Sequence, residues 1–211
     1  MRGAYKMHTI FKWLVAVMLT IAVSGYQSAN ASFVGMPHVL GSMMKRISFS
    51  NFALPPMAYT EFCLRYVGQC KLQLLMFRGG PVKLTAERWE DLKAVNNSTN
   101  AAIVPERNTE GLAGEKWLIN PASGDCNDYA VTKRAELLAR GWPTRVLLLS
   151  EVVTSWGEHH LVLVVRTSAG DLVLDNMTSQ IRPWARAPYR WVRIQTPKNP
   201  NYWASLAGRN V

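Results

Sequence analysis

HHLVLVVRTSAGDLVLDN, residues 159–176, decides how the second half of this chain folds. Two runs of β-branched and aliphatic residues flank Ser168-Ala169-Gly170, and that spacing predicts an antiparallel hairpin. Pairing Arg166 with Asp171 sets a register in which Asp175 stands opposite Val162 and diagonal to His160 on one sheet face. Diagonal neighbours lie about 7–8 Å apart, within reach of an imidazole. His159 points the other way, and a slip of one residue would exchange the two histidines.

Two further stretches read as strands, RVLLLSEVV at 145–153 and YRWVRIQT at 189–196. Before them, TAERWEDLKAVNNSTNAAI (85–103) predicts a helix with a Thr85 N-cap and Arg88 at N3, presenting Trp89, Leu92 and Asn96 with Val95 beside them; its asparagine-rich end reads as capping. GDCNDYAVTKRAELLARGWP (124–143) predicts a second helix, opened by Ser123 or Asp125 and ended by Gly141 and Pro143. Helices first and strands after predict an α+β domain with its helices packed on one antiparallel sheet.

The first residues read as a secretory signal. Arg2, Lys6 and Lys12 precede the apolar run Trp13–Ser24, and Ala29-Asn30-Ala31 offers small residues for cleavage. About 12 apolar residues fall short of the roughly 20 that span a bilayer. The expected organisation is a signal peptide at 1–31, an N-terminal arm at 32–58 rich in Gly, Pro and Ser, and one domain at 59–211, with a periplasmic location. Cleavage removes three of the 24 Lys and Arg and leaves 21 against 14 Asp and Glu, a net charge of +7. The basic residues are scattered and carry no nucleic-acid motif, so no nucleic-acid partner is expected.

Three cysteines in an oxidising compartment leave one thiol over. A Cys63–Cys70 disulfide would free Cys126. The alternative is a continuous helix, over which seven residues rise about 10.5 Å and no bridge forms. At a helix N-terminus the backbone N–H groups and the dipole favour thiolate over thiol, so Cys126 is a candidate nucleophile. His160 would be its base and Asp175 the residue that orients the base. The plain alternatives are a buried cysteine, a solvated strand-end histidine and a turn at Asp175-Asn176.

FCLRYVGQC, W-x5-VNNSTN from Trp89, W-x6-GDCNDYAVTKRAELLARGWP from Trp117, EHHLVLVVRTSAGDLVLDN and YRWVRIQ together resemble the bacterial transglutaminase-like cysteine proteinases of LapG type. The resemblance covers about residues 55–203. It implies a papain-like, transglutaminase-like core, with a Cys-bearing helix packed on an antiparallel sheet that bears His and Asp. By the same resemblance Cys126, His160 and Asp175 match the catalytic residues, the substrate is a cell-envelope or surface protein such as an adhesin, and a regulatory membrane receptor is a further partner. It also implies calcium as the cofactor, held by acidic residues around the nucleophile, here Asp125, Asn127 and Asp128. Asn127 stands where the family commonly has Glu and supplies one neutral oxygen, which weakens such a site. Helix capping is the other use of these residues. Two competing functions use the same residues differently: a transamidase, in which an amine intercepts the acyl-enzyme, and a non-catalytic envelope binding module.

Overall fold

The computed structural model describes residues 46–71, 80–109 and 111–206. The expected signal peptide and the arm as far as residue 45 lie outside the described residues. A seven-stranded sheet forms the centre, in the order β1 (Phe49–Ala53), β9 (Trp203–Leu206), β8 (Arg190–Gln195), β4 (Leu147–Val153), β5 (His159–Thr167), β6 (Gly170–Leu174) and β7 (Arg182–Pro183). Every pairing in it is antiparallel. A two-stranded parallel pair, β2 (Val104–Pro105) with β3 (Ser123–Gly124), stands apart from it, with the short helix α4 (Gly111–Gly114) between them in the chain.

The central strands are buried on both faces, which is why their sequences run apolar without alternation. On one face Leu149, Leu161, Leu163 and Leu172 meet Val131 and Leu137 of helix α5 (Cys126–Ala139) and Leu92 and Val95 of α3 (Ala86–Ala102). On the other, Val152, Val162, Val164 and Val173 meet Trp184, Trp191 and Ile47. A Cys-bearing helix packed on an antiparallel sheet is thus the architecture of this chain, the α+β arrangement expected from the sequence.

The predicted start of α3 and the predicted end of α5 are both present. Thr85 Oγ1 accepts from Arg88 N at 3.3 Å and caps α3. At the far end of α5, Trp142 N donates to Leu137 O and Gly141 N to Leu138 O, both at 3.0 Å, with Gly141 at φ 81°. That is a Schellman stop, and it needs a residue tolerant of the left-handed region.

The segment around Cys63 is not one helix. α1 (Met57–Arg65) ends at Tyr66, with φ −118° and ψ 63°, and one further turn, α2 (Val67–Cys70), follows. The break brings the Cα atoms of Cys63 and Cys70 within 5.5 Å, and the two form a disulfide, leaving Cys126 as the free cysteine. Gln69 lies inside that small ring. Its carbonyl and side-chain oxygens accept from Arg134 Nη1 of α5 at 2.9 and 3.1 Å, while Arg134 Nε donates to Leu147 O at 3.1 Å.

Residues 49–53, read from the sequence as arm, form the edge strand β1 beside β9. FSNFA is mostly exposed and has no alternation of apolar and polar residues to announce a strand. A neighbouring contact ties this segment to the hairpin: Ile47 N donates to Asp171 Oδ2 at 2.7 Å, and Arg166 pairs with Asp171 at 3.3 Å.

Candidate active site

Cys126 is the first residue of α5. Asp125 at the N-cap accepts from Asn127 N at 2.9 Å, and Asp128 Oδ2 accepts from Asp125 N at 3.0 Å, which completes a reciprocal capping box. The other Asp128 oxygen accepts from Leu118 N at 2.7 Å, and Asn120 N donates to Thr132 Oγ1 at 2.9 Å, so the strand-like approach to the helix is stitched to its first two turns. Gly124 makes room for this arrangement, because a Cβ there would lie 2.2 Å from Asp128 Oδ2.

The hairpin pairs Arg166 with Asp171 and Leu163 with Leu174, the register expected from the sequence. Asp175 follows directly, and its Oδ1 lies 2.9 Å from His160 Nε2. Both side chains are buried, at 4% and 6% exposure. His159 points to the opposite face of β5 from His160 but borders the same two grooves; 69% exposed, it pairs at 2.6 Å with Glu151, which also binds Arg193.

Several residues that the sequence reading did not assign to the site hold Asp175 in place. Met177 N donates to its Oδ1 at 3.1 Å and the Tyr189 hydroxyl to its Oδ2. Asn100 Nδ2 donates to the Asp175 carbonyl at 3.0 Å, and Asn96 Nδ2 to that of Ser179 at 3.2 Å. The asparagines of α3 therefore grip the loop after β6, in place of the capping role expected for them. Their spacing of four residues, one helical turn, is the signal that could have suggested a shared face.

Cys126 and His160 line two adjoining grooves of about 370 and 520 Å³. The first runs toward Met57, Trp117 and Arg193, the second toward Arg107, Glu158 and Met177. Glu115 and Asn127 border both, and the Asn127 amide donates to Glu115, which also accepts from Trp117 Nε1 at 2.9 Å.

The electrostatics around the thiol run against the expectation of a thiolate. Burial pushes the Cys126 thiol up to about 12, and the charge of Asp125 adds to the rise; the N–H of Leu161 opposes it, while Glu115 and Glu158 add more. A helix end carries only about half a unit charge, which burial and three carboxylates outweigh. The resting thiol is therefore protonated at neutral pH. Asp175 behaves oppositely: burial raises it, but the hydrogen bond and charge of His160, with the bonds from Tyr189 and Met177, hold it below the ordinary carboxylate value.

With this geometry in view, the sequence profile of the bacterial transglutaminase-like cysteine proteinases (BTLCP) matches residues 49–211. The chain belongs to that family. Among solved structures, this BTLCP protein is similar to Legionella pneumophila LapG, at 25% identity and a TM-score of 0.46 over 55% of this chain and 66% of that one. Its similarity to the calcium-bound form of Legionella pneumophila LapG is 22% at a TM-score of 0.49, over 58% of this chain and 73% of that one. The chain thus spans just under two thirds of the first LapG chain. Comparison with curated proteins gives no match.

Calcium can be tested against the donor set of this BTLCP protein. Both oxygens of Asp128 accept backbone N–H groups, one oxygen of Asp125 caps the helix, and the Asn127 amide donates to Glu115. Among the described residues no three His, Cys, Asp or Glu side chains converge as a metal site. Calcium favours six to eight oxygen ligands, and Asp125, Asn127 and Asp128 as arranged here fit capping and not such a cage.

Proposed function

We propose that this protein is an exported protease that cleaves a cell-envelope or surface protein, such as an adhesin, through Cys126, His160 and Asp175. The observation that carries the reading is the buried His160–Asp175 pair opening into the same cleft as a free cysteine at a helix N-terminus. Asp175 takes up Nε2, which leaves Nδ1 as the nitrogen for the thiol. Because the thiol rests protonated, His160 acts as general base during attack: the Sγ–H proton moves to the imidazole as the S–C bond forms. The Cys126 N–H, in the first turn of α5, is a donor for the developing oxyanion. The imidazolium then gives its proton to the departing amine, and water, deprotonated by the same histidine, releases the acyl group. Grooves on both sides of Cys126 suit an extended peptide that continues past the scissile bond.

The test compares envelope extract incubated with the wild-type protein and with Cys126→Ala. New protein termini in the first alone, found by mass spectrometry, support the reading; identical termini in both sink it. Including a primary amine separates hydrolysis from amide exchange.

For the metal, the capping geometry leads us to expect the melting temperature to stay unchanged on adding calcium or EGTA. Asn127→Glu, which puts a second carboxylate against Glu115, should make the protein calcium-sensitive, since a bound ion stabilises only the fold that holds it. A wild-type melting temperature that rises with calcium would restore Asp125, Asn127 and Asp128 as ligands.

A further inference from the structure

We infer that Tyr189 is a positioning residue for this centre, its hydroxyl fixing the carboxylate of Asp175 and its ring seating the imidazole of His160. The inference rests on the catalytic reading of Cys126, His160 and Asp175. Tyr189 enters from the far side of the sheet, between a 3₁₀ turn (Trp184–Arg186) and β8, which lies across β4 from β5. Its hydroxyl donates to Asp175 Oδ2, the oxygen that His160 does not use, and its ring lies 5.7 Å from the imidazole, tilted by 51°. One side chain thus touches both partners of the pair.

Geometry on either side fixes Tyr189 in advance. Its N–H donates to Ala187 O at 2.8 Å, Pro188 precedes it, and two residues later Trp191 meets Trp184 edge-on at 5.6 Å. A carboxylate held at one oxygen can rotate, whereas one held at both presents Oδ1 to His160 in a single orientation. Asp175 accepts from His160 on β5, from Met177 in its own loop and from Tyr189. The positive charge of Lys133 on α5 acts on it as well, Arg182 acts on Tyr189, and α3 contributes the neutral Asn100, which bonds the carbonyl.

The chemistry sets the direction of the effect. By donating to Oδ2, the phenol draws charge from the carboxylate and so limits how strongly Asp175 holds a proton on His160. Without that donor, Asp175 becomes the more basic carboxylate and is free to turn, so the rise of reactivity with pH moves upward.

The test reads Cys126 alkylation by iodoacetamide against pH, which needs no identified substrate. Tyr189→Phe should lower the rate at pH 7 by about 10- to 100-fold, the scale of one hydrogen bond to a charged group. The rise of rate with pH should move upward by about half to one unit. In an Asp175→Asn background the same change should cost less than about twofold, because a residue that acts through Asp175 has nothing left to position. A wild-type rate and profile in Tyr189→Phe, or an equal loss in both backgrounds, overturns the inference. 3-Fluorotyrosine placed at 189 keeps the ring and strengthens the donor, so it should move the profile downward; an unmoved profile overturns the inference even if Tyr189→Phe fails to fold. His160→Ala separates the two levels: if it leaves alkylation untouched, the catalytic reading itself fails, whatever Tyr189 does.

Discussion

Replacing His160 with alanine is expected to abolish proteolysis, with a loss on the order of 10⁴-fold or more, the cost of losing a general base in a triad. His159→Ala should change turnover by less than about threefold, because that ring, although it borders the same grooves, is 69% exposed and pairs with Glu151, while it is His160 that bonds Asp175. The contrast is large because the resting thiol is protonated, so attack depends on a base in place. Asp175→Asn should fall between them: nucleophile and base remain, but the imidazole loses its partner at Nε2. Cleavage rates of the three variants on one substrate, alongside their melting curves, decide the matter. A dead His159→Ala with an active His160→Ala would mean that the other strand face carries the chemistry.

Gly124→Ala is expected to destabilise the protein by about 2–4 kcal/mol, the combined cost of a helix cap and an orphaned buried donor. The added methyl group would meet Asp128 Oδ2 at 2.2 Å, Cγ at 2.8 Å and Cβ at 2.9 Å, so a rotation of the carboxylate alone cannot relieve it. Asp128 is 6% exposed and bonds the N–H groups of both Leu118 and Asp125. Moving it strips the first turn of α5 of half its capping box and frees the segment that leads into it. Since Cys126 is part of that turn, turnover should fall further than stability does. Denaturant unfolding and turnover of Gly124→Ala are the measurements, and a variant within about 0.5 kcal/mol of wild type would show that Asp128 is free to move.

Local patterns carried much of this in the sequence. Ser168-Ala169-Gly170 announced a hairpin, and the pairing of Arg166 with Asp171, which the structure carries, brought Asp175 to His160. Asp125 and Gly141 announced the ends of α5 because caps depend on neighbours two to five positions away. What stayed hidden acts across the fold. Tyr189 and Asn100 reach Asp175 from separate elements, and nothing in their immediate surroundings marks a partner. The thiol's raised proton affinity was hidden for a related reason: burial by the sheet and the charges of Glu115 and Glu158 reach Cys126 only after folding.

The ring closed by Cys63 and Cys70 has a consequence for handling the enzyme. Gln69, inside that ring, supplies two of the oxygens that receive the guanidinium of Arg134, a side chain with 1% exposure on the helix that begins at Cys126. A dithiol added to keep Cys126 from oxidising also opens this ring, loosening the acceptors of a buried charge just over two turns along the helix from that thiol. Unmet buried charge is costly, so the two actions oppose each other. Activity plotted against reductant should pass through a maximum, and the best preparation is one whose redox potential spares the bridge while protecting the single thiol.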